Sequence, residues 1–129
     1  MSQAIMTAQA NKETTEAAYQ AFAAGDAAAA MEDMDERVEW RVRGDSALSG
    51  TYTGKREIAG LWTKLSEKGL STEPNDFIAD GDKVVVLTTV TLAGEREDAA
   101  DILTYNQAGK LIAFDQLGDP AISNRVFAK

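Results

Sequence analysis

Apolar and polar positions change rhythm several times along this chain, and each rhythm predicts an element. Tyr19 and Phe22 share one side of a helical period with Thr15 and Ala18. Asn11 is placed to cap that helix and Gly25 to end it in the left-handed conformation. Asp26 then caps a second, alanine-rich helix reaching about Met34, with Ala27, Ala30, Met31 and Met34 on its apolar side. From Arg37 the period shortens to two: Val38, Trp40 and Val42 alternate with Arg37, Glu39, Arg41 and Arg43, the signature of a half-buried strand. Residues 44–54, rich in Gly, Ser and Thr, read as a loop. A third helix follows from Lys55, because Ile58, Leu61, Trp62 and Leu65 fall at i, i+3, i+4 and i+7, and Lys68-Gly69 stops it.

The rest of the chain has the period of strands. Leu70 to Ala79 leads through Asp80-Gly81, a type I′ hairpin signal, into Asp82 to Leu92, whose β-branched density predicts a central strand. Ala93-Gly94 turns the chain into a closing pair that meets at residues 106–109, and Pro120 starts a tail whose Ile122, Val126 and Phe127 can pack back. The order is two helices, a strand, a helix and a meander of four antiparallel strands. That is an α+β architecture, with three amphipathic helices available to cover one face of an apolar sheet. A strongly bent sheet over helices encloses a conical space. Residues 1–129 read as a single domain, with residues 1–10 expected to form a flexible lead-in.

Composition narrows the chemistry. The 129 residues contain no cysteine, which removes thiolate catalysis and disulfides and fits a reducing, cytoplasmic setting. They contain no histidine either, which removes the commonest general base and most zinc and iron sites, so that acid/base work falls to carboxylates, Tyr, Lys or water. No metal and no cofactor is expected. A net charge of −8 argues against a phosphate-binding surface and so against nucleic acid. No run approaches the ~20 apolar residues of a membrane span, and the first residues lack the pattern of a signal peptide. Glu32, Asp33, Asp35 and Glu36 read as a solvated corner, and Thr51 to Lys55 lacks the spacing of a phosphate loop.

The candidate site lies in the closing pair. Alternation places Asp101 and Gln116 on the inward face of strands otherwise built of Ile, Leu, Tyr and Phe. An inward carboxylate favours its neutral form, because burying an unpaired charge costs several kcal/mol. Asp101 could then donate a hydrogen bond or activate water; the alternatives are a pairing with a cation such as Arg96, or a slipped register that exposes it. Gln116 could bridge Asp101 or serve as a structural hydrogen bond at a sheet end. Tyr19, Trp40, Tyr52, Trp62, Leu103, Tyr105 and Phe114 could line an apolar cavity around the polar pair, or be plain core.

The order and spacing of several short patterns resemble a known family. They are Tyr19-x-x-Phe22-x-x-Gly25-Asp26, Val38-Glu39-Trp40, Ser49 to Gly54 leading into the Glu57-Ile58 helix, and Gly109 to Ile112 before a strand ending near Asp119. Over about residues 12 to 120 the chain resembles the SnoaL-like group of the NTF2-like, ketosteroid-isomerase-like superfamily. The resemblance implies a cone-shaped fold and a homodimer through the sheet. It also implies an apolar pocket used for isomerisation, polyketide ring closure, epoxide hydrolysis or plain binding of a small apolar molecule. Asp101 falls where ketosteroid isomerases keep a protonated aspartic acid in their oxyanion hole. Their tyrosine would fall on Ala18, beside Tyr19, and their general base on Trp40. The acid/base aspartate of the polyketide cyclases would fall on Gln116, since Asp115 has the opposite parity. The catalytic candidates are Asp101 as acid or oxyanion donor, with Tyr19 or Tyr52 as a second donor. The alternative is a module that binds a small molecule or a protein without chemistry.

Overall fold

The computed structural model describes residues 3–129, with side chains from residue 7 onward. Helix α1 runs Gln3–Ala23 and α2 Ala27–Ala30; strands β1 and β2 span Met34–Val42 and Gly50–Thr53. Helix α3 runs Gly54–Glu67, and strands β3 (Ser71–Asp80), β4 (Lys83–Leu92), β5 (Glu95–Tyr105) and β6 (Leu111–Leu117) precede α4 (Ala121–Val126). The architecture is α+β: a curved, unclosed, six-stranded sheet in the order β2-β1-β6-β5-β4-β3, covered by helices. All neighbours are antiparallel except β1 and β6, which run parallel.

The strand alternation read from the sequence is realised most fully in β4. Val84, Val86, Thr88, Val90 and Leu92 are buried, and the residues between them face outward. Helix α1 packs across β3 and β4 and α3 across β1 and β2, so the buried stripe of Ile58, Leu61 and Trp62 on α3 meets Val38, which is fully enclosed. The pairing register shifts between Pro74 and Asp76 in β3 and between Met34 and Glu39 in β1. Such irregularities bend a sheet, and these help wrap it into a cone. Pro74 is tolerated because β3 is an edge strand, where a missing N–H costs no ladder bond.

Several expected boundaries move. Residues 1 and 2 of the expected lead-in lie outside the described residues, but from Gln3 the chain is already helical. Asn11 therefore sits inside α1 rather than capping it. Alanine, glutamine and methionine favour helix strongly enough to extend it. The corner after α1 is as expected: Gly25, at φ +79°, donates to the Phe22 carbonyl and Asp26 to the Ala21 carbonyl, while the Asp26 side chain caps Ala29. The alanine-rich helix ends at Ala30 instead of Met34. Met34 is drawn into β1 opposite Leu111, with Met31 and Met34 both buried, and this packing overrides helix propensity. The expected loop over 44–54 contains β2, whose Thr51-Tyr52-Thr53 run pairs with the free edge of β1. The tail forms α4, and Phe127 packs on the core as expected.

The hairpin turns also redistribute. Between β3 and β4 only Gly81 has positive φ, the pattern of a type II′ turn. Ala93 and Gly94 both have positive φ, as a type I′ turn demands. Ala93, at φ +51°, carries a Cβ where that conformation costs about 1 kcal/mol. Asparagine tolerates it, and the position is exposed. Ala93→Asn is therefore expected to stabilise the protein by about 0.5 to 1 kcal/mol, read from urea unfolding midpoints; an unchanged or lowered midpoint would refute the strain.

Candidate functional site

Asp101 lies in the middle of β5, opposite Val86 on β4 and Gln116 on β6. Val86 is fully buried, which fixes that face of the sheet as the inner one and leaves Asp101 only 2% exposed. Two side chains meet its carboxylate. The Gln116 amide donates to Oδ1 at 3.0 Å, and the Tyr19 hydroxyl, arriving from α1, donates to Oδ2. Tyr19 is held for this by an edge-on contact with Phe77 of β3, with ring centroids 5.7 Å apart. Among the described residues, no cation pairs with Asp101; the ion pairs of the chain lie elsewhere, and Arg96 is not a partner.

This environment divides the electrostatics clearly. Burial pushes the Asp101 carboxyl up to about 6, against the opposing pull of the Tyr19 and Gln116 hydrogen bonds. Burial, followed by the charge of Asp101, pushes the Tyr19 hydroxyl far above the usual phenol range, so Tyr19 acts as a hydrogen-bond donor and not as a base.

Around this centre lies a cavity of about 160 Å³, lined by Tyr19, Trp40, Trp62, Leu103, Tyr105, Phe114 and Gln116 together with Asp101. Its aromatic wall is built by strand neighbours: Trp40 of β1 stacks on Phe114 of β6, centroids 3.5 Å apart and planes 9° apart. Trp62 from α3 meets Trp40 edge-on at 5.5 Å and Phe22 at 4.9 Å. At another part of the wall, Tyr105 bonds to Thr15 Oγ1 at 2.7 Å, and that hydroxyl donates in turn to the Asn11 carbonyl. One expected member is misplaced. Tyr52 does not line the cavity, because β2 lies at the sheet edge and its hydroxyl donates to the Leu48 carbonyl at 2.6 Å.

The structure also adds members that the sequence reading passed over. Phe22 lines the cavity, and so do Glu95, Glu97 and Asp119. Glu97 has the parity of Asp101 on β5, and that signal was present in the sequence. Its position opposite the buried Val90 confirms that it faces inward. Burial and the neighbouring charge of Asp119 raise the Glu97 carboxyl above its usual range. Among the described residues, no group of three or more Asp or Glu side chains is arranged to hold a metal ion. No helix of the described residues is long and apolar enough to cross a membrane.

The family model for the SnoaL-like domain matches residues 15–114, which include α1 from Thr15, all of α3, and the strands through Phe114. The chain belongs to the SnoaL-like domain family. No curated protein matches the sequence. Among solved structures, an NTF2-like protein from Burkholderia xenovorans LB400 is similar at TM-score 0.77 and 22% identity, covering 93% of this chain and 97% of that one. A protein of unknown function with a cystatin-like fold from Xanthomonas campestris is similar at TM-score 0.82 and 19% identity, covering 92% and 98%. TerC, co-crystallized with polyporic acid, is similar at TM-score 0.75 and 24% identity, covering 93% and 99%. At these identities the likeness is one of fold, and this SnoaL-like chain has the NTF2-like fold that its sequence pattern implied.

The buried carboxyl makes stability depend on pH in a defined direction. Unfolded, Asp101 titrates near its ordinary 3.8; folded, near 6. The folded state therefore retains a proton that the unfolded state releases, and this group's contribution to stability falls as pH rises through that interval. Asp101→Asn keeps the shape and removes the charge. The stability of that variant relative to the wild type is expected to rise by roughly 2 to 3 kcal/mol between about pH 4 and about pH 8. Parallel urea-unfolding curves for the two proteins across that range would contradict it.

Proposed function

We propose that this SnoaL-like protein is an acid/base enzyme acting on a small, mostly apolar carbonyl compound, as an isomerase, cyclase or hydrolase. The observation that carries the reading is Asp101: a carboxyl group enclosed in an aromatic cavity, hydrogen-bonded by Tyr19 and Gln116 and unpaired with any cation among the described residues. A carboxyl group that is only structural has little reason to be so desolvated. When Asp101 is protonated it donates to one neighbour, and the Tyr19 hydroxyl is released to point at a bound oxygen. The pair then stabilises charge developing on a carbonyl oxygen in water-excluded surroundings. The aromatic walls supply affinity for the apolar body. Polyporic acid in the related fold of TerC supports an organic ligand of this general kind. The absence of cysteine supports a cytoplasmic setting.

A phenol presents an oxygen like that of an enol, so 2-naphthol tests the site. It is expected to quench Trp40 and Trp62 fluorescence in the wild type at pH 5.5 and to bind at least about tenfold more weakly to Asp101→Asn and Tyr19→Phe. Equal affinity for all three proteins would overturn the acid/base reading and favour a binding module without chemistry.

The partner expected from the family is a second copy of the chain through the outer sheet face. Ile78, Leu87, Ile112 and Leu117 are exposed large apolar residues, and Leu87 and Leu117 both flank Ala100 on that surface. Sedimentation equilibrium is expected to give a dimer mass, and Leu87→Lys a monomer. A wild-type monomer would refute the pairing.

A further inference from the structure

The site as described has an acid and no base. Asp101 is committed to Tyr19 and Gln116, and the position where the ketosteroid isomerases keep their base holds Trp40, stacked against Phe114. A proton-transfer enzyme needs a group to receive the proton from carbon, and most charged side chains of the cavity wall are already engaged. Asp33 pairs with Lys110. Arg43 and Arg41 are cations, and Arg43 is held by Asp115. Glu95 is engaged by Arg125, and Asp119 accepts a hydrogen bond from the Ala121 backbone at 3.0 Å. Glu97 remains. It is half-buried and lines the cavity, and among the described residues it has neither a hydrogen-bond partner nor an ion-pair partner.

We propose that Glu97 is the general base of this cavity, taking a proton from substrate carbon while the Tyr19 hydroxyl, backed by Asp101, holds the substrate oxygen. The proposal rests on the acid/base reading above and adds to it a residue and a constraint on the substrate. Both carboxylates rise from the same face of β5: Asp101 opposite the buried Val86, Glu97 opposite the buried Val90. The surface between them is kept low. The intervening inward residue is Ala99, and Gly118 lies against it so closely that an added Cβ would come within 3.2 Å of the alanine methyl. A flat substrate can therefore span the two groups without meeting a bulky side chain. The two environments also differ as an acid and a base require, one enclosed and hydrogen-bonded, the other half-exposed and free.

The spacing selects the substrate class. Residues four apart on one strand have Cα atoms roughly 13 Å apart. After a hydrogen bond at the oxygen and the reach of the two side chains are subtracted, the reacting carbon lies several bonds from that oxygen. A simple α-proton is too near. A carbonyl conjugated through at least one C=C, with an acidic C–H at its far end, spans the gap. Glu97 removes that proton, and the C–H electron pair becomes a new C=C. The conjugated π electrons shift toward the carbonyl, and its oxygen takes the charge as a hydrogen-bonded dienolate or, with a proton from Tyr19 that Asp101 replaces, a dienol. Return of a proton to the same far carbon gives exchange with solvent. Where a second conjugated C=C extends the system, Glu97 can return it two carbons nearer the oxygen, at the γ carbon, with any proton on oxygen going back by way of Tyr19 to Asp101, and the product is an isomer. No oxidant, reductant or co-reactant is needed.

Isophorone, a small cyclic enone with C–H groups at both the α′ and γ positions, is the probe. In D2O, followed by proton NMR, the wild type is expected to accelerate exchange at the γ positions over α′. Glu97→Gln is expected to lower that γ exchange by at least about 100-fold, with Glu97→Asp between the two. Affinity for 2-naphthol is expected to stay within about twofold of wild type in both variants. Undiminished γ exchange in Glu97→Gln would overturn this assignment while leaving the Asp101 reading intact. No exchange by the wild type would overturn it as well, and so would loss of 2-naphthol binding in Glu97→Gln, since the residue would then be a ligand contact and not a base.

Discussion

The constraint on which this structure depends is that one carboxyl group, Asp101, is removed from water without a cation to neutralise it. A buried unpaired charge is costly, and here only a hydroxyl from α1 and an amide from β6 offset the loss of solvent. Three elements are thereby tied to one side chain. A slip of β5 by one residue would turn Asp101 to solvent and send Ile102 or Ala100 inward, so the register of the closing strands is bound to the site. The rotation of α1 about its axis is set by the same requirement, because Tyr19 must reach the carboxylate while Thr15, on the same face, meets Tyr105.

The cavity follows from how the sheet curves over those contacts. Stacking of Trp40 on Phe114 joins the one parallel pair of strands, and Trp62 and Phe22 close the wall from the helices. Residues of α4 and of the segment before it, Asp119, Pro120, Ile122 and Ser123, also line the cavity. Pro120 packs against the backbone at Gly44, where no side chain could fit, and Arg125 engages Glu95 of the cavity wall. Exposed ion pairs of that kind contribute little to stability.

Departures from the family pattern have a common physical logic. Trp40 and Gln116, where the family resemblance leads one to expect ionising groups, serve in this chain as a stacked wall and as a hydrogen-bond donor to Asp101. Removing those carboxylates from the interior leaves a single buried acid. Like charges placed close together in a low-dielectric cavity would raise one another's proton affinity and weaken the fold. Glu97, on the same inward face of β5, is only half-buried.

Much of this was legible in the chain. Strict alternation identified the inner faces of β1, β4, β5 and β6, and with them the opposition of Asp101 and Gln116, because a period of two leaves only one choice of face. The stripe of α3 and the Gly25-Asp26 corner were legible for the same local reasons. The parity of Glu97 was equally visible but carried no weight until its burial and its lack of a partner were known. What depended on distance in sequence was not legible. Strand β2 exists because the edge of β1 was free to pair, and α2 stops at Ala30 because Met31 and Met34 are needed in the core. Tyr52 is turned aside by the Leu48 carbonyl. The sequence by itself determined which residues face inward, since that follows from backbone periodicity. Only the tertiary structure decided which of them meet, that Tyr19 rather than a cation answers Asp101, and how burial then sets its proton affinity, because desolvation belongs to the assembled surroundings and not to any stretch of chain.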